Sequence, residues 1–371
     1  MRMSDNAQGH FMAEKGTNSK KKNKAKAARN TVAAVLLTVL SIVIIAVGAC
    51  FLVLNHYLDK IVKVDPTDTE DVIPPSQEEF ITDDWDGKSD ETRDPDDTGK
   101  VPSVEDPNDV KWPEDIASFN DDHLVNILLV GQDRRPGQKR ERSDSMILVS
   151  VNPDTKEVSL VSFLRDTYVQ IPGGYSDNRL NYAYKAGGFK LLKETLNKNF
   201  GVTVDGCFEC DFNDFEEIID LLGGVEINVT KREASYMKSE WGIKVSSGKT
   251  RLNGHQALMY ARIRAIGSDF ERTQRQRTIL TTLFEEFKNA SVSELTAIAD
   301  EILPKLATDM TNSQIIGLMG QMIPLMSSMK ISQHAVPYDG AYRDAKIRGM
   351  QVLIPDLGKI RKKLAEEFLP L

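Results

Sequence analysis

Three apolar runs in this chain end or begin on charge. Leu124–Val130 leads through Gly131-Gln132 to Asp133, Arg142-Ser143-Asp144 precedes Met146–Val151, and Glu157–Leu164 runs into Arg165-Asp166. Asp133 and Asp144 are a carboxylate pair suited to a hard divalent cation, Mg2+ or Mn2+, which takes oxygen ligands and shares them with phosphate. Downstream, DFERTQRQR places a carboxylate, guanidiniums and an amide at one helix start. At about 100° per residue, Asp269, Arg272 and Gln276 share the face that later carries Leu280, Leu283 and Phe287. Arg275 lies at its flank, and Arg277 points well away from Arg272. Arg262 and Arg264 in YARIR project together if that segment is extended. Arginine in place of lysine at such positions suits planar, multidentate recognition of phosphate. Metal plus guanidiniums is apparatus for stabilising charge in phosphoryl transfer. Each string alone reads as an ordinary surface or capping pair, and Asp166 as a residue that orients Arg165. Their joint placement carries the functional reading.

The elements must bring these groups together. The three apolar runs read as strands, the first buried on both faces. Asn152-Pro153-Asp154 is a turn signal, so the second and third strands pair antiparallel. If loop 134–143 also reverses the chain, Asp133, Asp144, Arg165 and Asp166 lie at one sheet edge, where ligands of open α/β sheets often bind. Helices are expected over Phe189–Asn199, Phe215–Leu222, Gly254–Arg262, Asp269–Lys288, Val292–Leu306, Ser313–Leu325 and Asp356–Phe368. Short strands are expected over Cys207–Phe212, Val225–Val229 and Ile331–Val336. The fold class is α/β, a mixed central β-sheet flanked by helices on both faces.

The chain has 371 residues and a net charge of -8, which argues against a general nucleic-acid binder. Residues 1–31 hold eight Lys and Arg against two acids, whereas 65–115 hold nineteen acids against four bases. Residues 31–54 carry no charge and are long enough, at about 1.5 Å per residue, to span a hydrocarbon core of about 30 Å. That length exceeds a signal-peptide core of roughly 7–15 residues. The expected layout is a basic cytoplasmic tail (1–30), one transmembrane helix (31–54), an acidic disordered linker (55–115) and an extracytoplasmic catalytic domain (116–371). The basic cluster places the N-terminus in the cytoplasm and sets the chain in the cell membrane as a single-pass protein.

NILLVGQD, RSDSM, NPDTKEVSLVSFLRDTYVQIPG, RLNYAY, DLLGGVEINV, LNGHQALMYARIR and DFERTQRQR, in this order, resemble the blocks of the LytR-CpsA-Psr family. The resemblance covers about residues 122–290, and VPYDGAYRD with IRGMQVLIPDLGKIRKKLAE is similar to the C-terminal end of many members. It implies a phosphotransferase that moves a glycopolymer, such as teichoic acid or capsule, from an undecaprenyl-pyrophosphate carrier to a peptidoglycan hydroxyl. By the same resemblance Asp133 and Asp144 are metal ligands. Arg142, Arg165, Arg262, Arg264, Arg272, Arg275 and Gln276 bind the pyrophosphate. Arg142, Arg165, Asp166 and Asp269 serve the reaction centre. Two departures stand out: His255 replaces a common acid, and Phe163-Leu164 replaces Ile-Pro before Arg-Asp. The lipid tail needs apolar walls, for which Leu280, Leu283, Phe284, Phe287, Ile315, Leu318, Met319 and Met322 are candidates, although plain core is the simpler reading of most of them.

Other signals carry little. Cys207 and Cys210 form a lone CxxC on a strand, where residues three apart face opposite sides, so free thiols are expected. There is no HExxH, P-loop, GxSxG or dinucleotide fingerprint. A hydrolase would use the same metal–arginine site with water as acceptor. A membrane-tethered regulator would need a cytoplasmic effector domain, and residues 1–30 are too short and polar to fold as one.

Overall fold

A computed structural model describes residues 52–65, 71–80, 103–113, 118–119, 123–134, 140–288 and 292–371. The chain divides into units Met1–Tyr57 and Leu58–Leu371. The expected basic tail and residues 31–51 of the expected span lie outside the described residues, among which no helix is long and apolar enough to cross a membrane.

The strands are β1 (Val62–Lys63), β2 (Ser103–Val104), β3 (Val125–Gln132), β4 (Ser143–Asn152), β5 (Glu157–Phe163), β6 (Tyr168–Val169), β7 (Asn178–Arg179), β8 (Gly206–Asp211), β9 (Val225–Val229), β10 (Gly248–Leu252), β11 (Ala307–Thr308), β12 (Lys330–Val336), β13 (Tyr342–Ile347) and β14 (Met350–Pro355). The central sheet has the order β1-β11-β8-β3-β4-β5-β12. β3, β4 and β5 form an antiparallel meander, and β8 and β12 add parallel to β3 and β5. Loop 134–143 therefore does reverse the chain, and β3 and β5 run the same way. The expected turn at 152–155 is built by Asn152, whose side-chain oxygen accepts from the backbone N–H of Asp154 and Thr155 at 3.0 and 3.2 Å.

The two faces of the sheet are covered unequally. Leu128, Val130, Met146, Leu148, Val161 and Phe163 are fully buried beneath the Leu180–Phe200 helix and the helical stretch that follows Asp356. On the other face Ile147, Val158 and Leu160 meet half-buried Leu280, Phe284, Met322 and Leu325. β3 shows the asymmetry directly: its residues alternate between buried and half-buried, so only one face is fully closed where the apolar run suggested two. Of the other candidate wall residues, Leu283 packs with a smaller lobe, and Ile315, Leu318 and Met319 pack with Leu58 and Ile61.

That lobe joins the antiparallel β9–β10 pair to helices Phe212–Leu221, Lys231–Trp241 and Gly254–Arg262. β13, β14 and β2 form a second small sheet. The acidic segment expected to be a disordered spacer is docked in its described parts. Val62–Lys63 pairs with β11, Ser103–Val104 pairs with β13, and Val64, Ile73, Phe80, Val110 and Trp112 pack on the hydrophobic clusters. A few apolar anchors suffice to dock a chain whose average composition is polar.

Candidate functional site

The sheet edge at the end of β3 and the start of β4 is irregular. Gly131 pairs with Ser145 while Gln132 pairs with Ser143, so Asp144 is the extra, unpaired residue of a bulge. A bulge re-aims a side chain, and here the Asp144 carboxylate accepts a hydrogen bond from Nη1 of Arg165. Arg165 leaves β5 in a turn fixed on three sides. Leu164 N–H donates to the Val336 carbonyl at 2.8 Å, Asn181 N–H to the Arg165 carbonyl at 3.2 Å, and Leu353 N–H to the Asp166 carbonyl at 3.0 Å. The Asp166 carboxylate lies 3.5 Å from Arg165 Nε and 3.4 Å from Arg179 Nε.

The Asp269–Phe287 helix starts at this edge, with Ser268 as its cap. Asp269 accepts from Arg264 and Arg272, both at 3.0 Å. Arg272 is 4% exposed, and its Nε is buried without an acceptor. Arg142 lies over the Tyr182 ring at 5.0 Å and donates to Asn181 Oδ1 at 3.4 Å, and its Nε also lacks a partner. Five guanidiniums (Arg142, Arg165, Arg179, Arg264, Arg272) thus stand against four carboxylates (Glu79, Asp144, Asp166, Asp269).

Titration follows this imbalance. Burial pushes Arg272 down to about 10, with Arg264 and Arg165 adding to the effect and Asp269 opposing it. Burial and the nearby Arg179 lower Arg142. Burial would also lower Arg165, but Asp166, Asp144 and Asp269 outweigh it and hold the group above its ordinary value. Burial would raise Asp166, yet Arg165, Arg179, Arg264 and Arg272 together keep its carboxyl below the usual range. The excess positive charge is held in place before any anion arrives, the arrangement that favours a polyanionic ligand.

Not every expected residue joins this network. Asp133 follows Gln132 at the same edge, but its side chain is 45% exposed and lies 3.8 Å from Arg262, which stacks over Phe212 at 5.0 Å. Gln276 is half-buried with its Oε1 unpartnered. Arg275 turns into the smaller lobe instead. It donates to Glu233 at 2.7 Å, to the Ile263 carbonyl at 3.0 Å and to Glu271 at 3.4 Å. Those acceptors satisfy the buried guanidinium, so the expected diphosphate contact gives way to a structural role. Sequence reasoning missed Arg179 and Asn181, although both stand in the RLNYAY block. Their signal was position, since they open the helix that returns to the turn after β5. Among the described residues no three or more His, Cys, Asp or Glu gather as a metal site, and Cys207 and Cys210 are free thiols.

Comparison with known proteins agrees with this architecture. The chain is 33% identical over 240 residues to regulatory protein MsrR of Staphylococcus aureus (strain Mu50), covering 64% of this chain and 71% of the relative. It is 31% identical over 258 residues to the polyisoprenyl-teichoic acid–peptidoglycan teichoic acid transferase TagU of Bacillus licheniformis, covering 68% of this chain and 80% of that one. Among solved structures, TagT bound to LIIa-WTA matches with a TM-score of 0.55 at 26% identity, over 67% of this chain and 91% of the other. The LytR_cpsA_psr family itself matches residues 88–366, a span that holds the whole arginine–carboxylate edge, and the chain belongs to that family.

Proposed function

We propose that this protein is a membrane-anchored glycopolymer phosphotransferase. Its donor is a polymer carried on undecaprenyl pyrophosphate, and its acceptor is a hydroxyl of peptidoglycan. The carrying observation is the surplus of buried and half-buried guanidiniums where the half-open apolar face of the sheet meets the edge. A diphosphate fits the first and its lipid tail the second. The relative TagU, named for transfer of teichoic acid from a polyisoprenyl carrier to peptidoglycan, supports the donor and acceptor classes.

In this reading Arg142, Arg165, Arg264 and Arg272 bind the diphosphate, with Arg262 and Gln276 at its margins. Asp166 and Asp269 hold Arg165, Arg179, Arg264 and Arg272 in place. The acceptor oxygen attacks the sugar-bearing phosphorus in line. The bond to the bridging oxygen breaks, and the lipid monophosphate leaves with that electron pair. Both oxygens of Asp269 are committed to guanidiniums, so the acceptor's proton passes to water, or to the oxygen of Asp144 that Arg165 leaves free when no ion occupies it.

The donor set also suits Mg2+ or Mn2+. Asp133 is half-exposed and loosely held, and Asp144 gives one oxygen to Arg165. Two carboxylates with water and substrate phosphate are a usual complement for Mg2+. When bound there, the ion would offset diphosphate charge.

The test is incubation of the full-length protein in detergent with a diphosphate-linked lipid donor, peptidoglycan and Mg2+. Lipid monophosphate released together with polymer joined to peptidoglycan is the expected result. Free sugar phosphate alone would make the enzyme a hydrolase, and unreacted bound donor would make it a binding protein.

A further inference from the structure

Arg277 has no role in the site described above, yet it is one of the most deeply buried charges in the molecule. It is 5% exposed, and its Nη1 donates to Ser162 Oγ at 2.6 Å. Its Nε is buried without an acceptor, and no carboxylate pairs with it among the described residues. Burial pushes the guanidinium down to about 10, and no neighbouring acid counteracts this. A buried charge without a counter-charge is costly, and replacing such a group by an apolar one of similar size is often neutral or stabilising. The fold alone gives no reason to keep it.

Its position supplies one. Ser162 lies on the half-open face of β5, beyond Leu160 and three residues before Arg165, roughly 10 Å along the chain at 3.3 Å per residue. On the Asp269–Phe287 helix, Arg277 is five residues past Arg272, roughly 7.5 Å of rise, and three before Leu280, which packs on that same face with Phe284. Along the helix axis Arg277 therefore stands between the arginine-rich edge and the apolar side chains, turned about 140° from Arg272 and held against the sheet by Ser162.

We infer that Arg277 is the seat of the phosphoryl group esterified to the polyisoprenyl chain, and so of the departing lipid monophosphate. The inference rests on the transferase reading. When the bond between the sugar-side phosphorus and the bridging oxygen breaks, the electron pair stays on that oxygen. The new negative charge then belongs to the lipid-side phosphate, which Arg277 pairs through Nε and Nη donors.

The experiment uses the full-length protein in detergent micelles, with a polyprenyl monophosphate and the matching polyprenol as probes. Arg277→Met should melt at or above the parent's temperature. It should also shrink the preference for the monophosphate over the alcohol at least tenfold, with Arg277→Lys in between. A Met variant that keeps the parent's preference, or that melts well below the parent, overturns the inference. If the parent itself does not prefer the phosphate, the transferase reading fails first. If the parent does and the variants match it, only the role of Arg277 falls.

Discussion

At the residue scale, the central unit is the bulge that delivers Asp144 to Arg165. Arg165 makes a turn, touches two carboxylates and faces a third at longer range. Removing it should leave the other arginines in place but misplace Asp144 and Asp166. Arg165→Ala is expected to lower transfer by about 10²–10³-fold, the size typical of losing one pre-placed donor, with thermal stability measured in parallel to separate folding from chemistry. A second expectation concerns His334, which stacks on Phe368 at 4.3 Å. Burial, then Arg277 and Lys363, lower its pKa, and Glu367 opposes them. Between that lowered value and the ordinary His value near 6.5, the unfolded chain binds more protons than the folded one. Stability from this residue is therefore full above about pH 6.5 and declines as the pH falls below it. The fall in melting temperature from pH 7.5 to 5.5 should be smaller in His334→Gln than in the parent, and an equal fall would refute the assignment. Asp144, Arg165, Asp269 and Arg272 were legible in the sequence because each adjoins an apolar run whose period fixes its place. The turn of Arg275 into the small lobe was not, since it depends on Glu233, forty-two residues away.

At the element scale, the Leu180–Phe200 helix shows how backbone freedom serves the site. Its first turn supplies Asn181 and Tyr182 to Arg142, while the rest lies on the sheet. The change of direction falls at Gly187-Gly188, where Gly188 has φ 61° and ψ -151°. That region is nearly exclusive to glycine, and an added Cβ would also stand 2.9 Å from the Arg140 guanidinium. Gly188→Ala should cost about 1–3 kcal/mol and lower the melting temperature by about 2–4 °C per kcal/mol. Five of the seven strands of the central sheet and the Gly254–Arg262 helix were legible from period and turn signals. The β13–β14 hairpin was missed because its two-residue turn is Arg348-Gly349, with φ 50° and 83°, so only its second position carries the usual Asn-Gly or Asp-Gly signal. The Lys231–Trp241 helix was missed because its interior is sparsely apolar, although Thr230 and Glu233 form a capping box that marks its start.

At the scale of the whole molecule, the acidic segment matters more than its composition suggests. Its like charges and lack of period argued for a free spacer. Charge repulsion, however, does not prevent isolated apolar residues from docking. Trp112 Nε1 donates to Asp177 at 2.7 Å, and its ring stacks on Tyr168 at 6.1 Å. Residues 71–80 pass directly beside the site. The Asp71 carbonyl accepts from Arg140 at 2.7 Å, the Glu79 carbonyl lies 3.5 Å from Arg142 Nη2, and the Glu79 carboxylate lies 3.1 Å from Lys185. The described parts of the segment thus belong to the folded unit, and residues 71–80 help hold the arginine edge. A protein beginning at residue 116, the boundary composition suggests, loses Ile73, Phe80, Val110 and Trp112. Val110 is buried and the other three partly so; at up to about 1.5–3 kcal/mol for a fully buried apolar side chain, that is several kcal/mol. Such a protein should melt more than about 10 °C below one beginning at residue 58. It should also bind a diphosphate more weakly, because Arg142 has lost its Glu79 carbonyl. Equal melting temperatures for the two would return the segment to the status of a spacer.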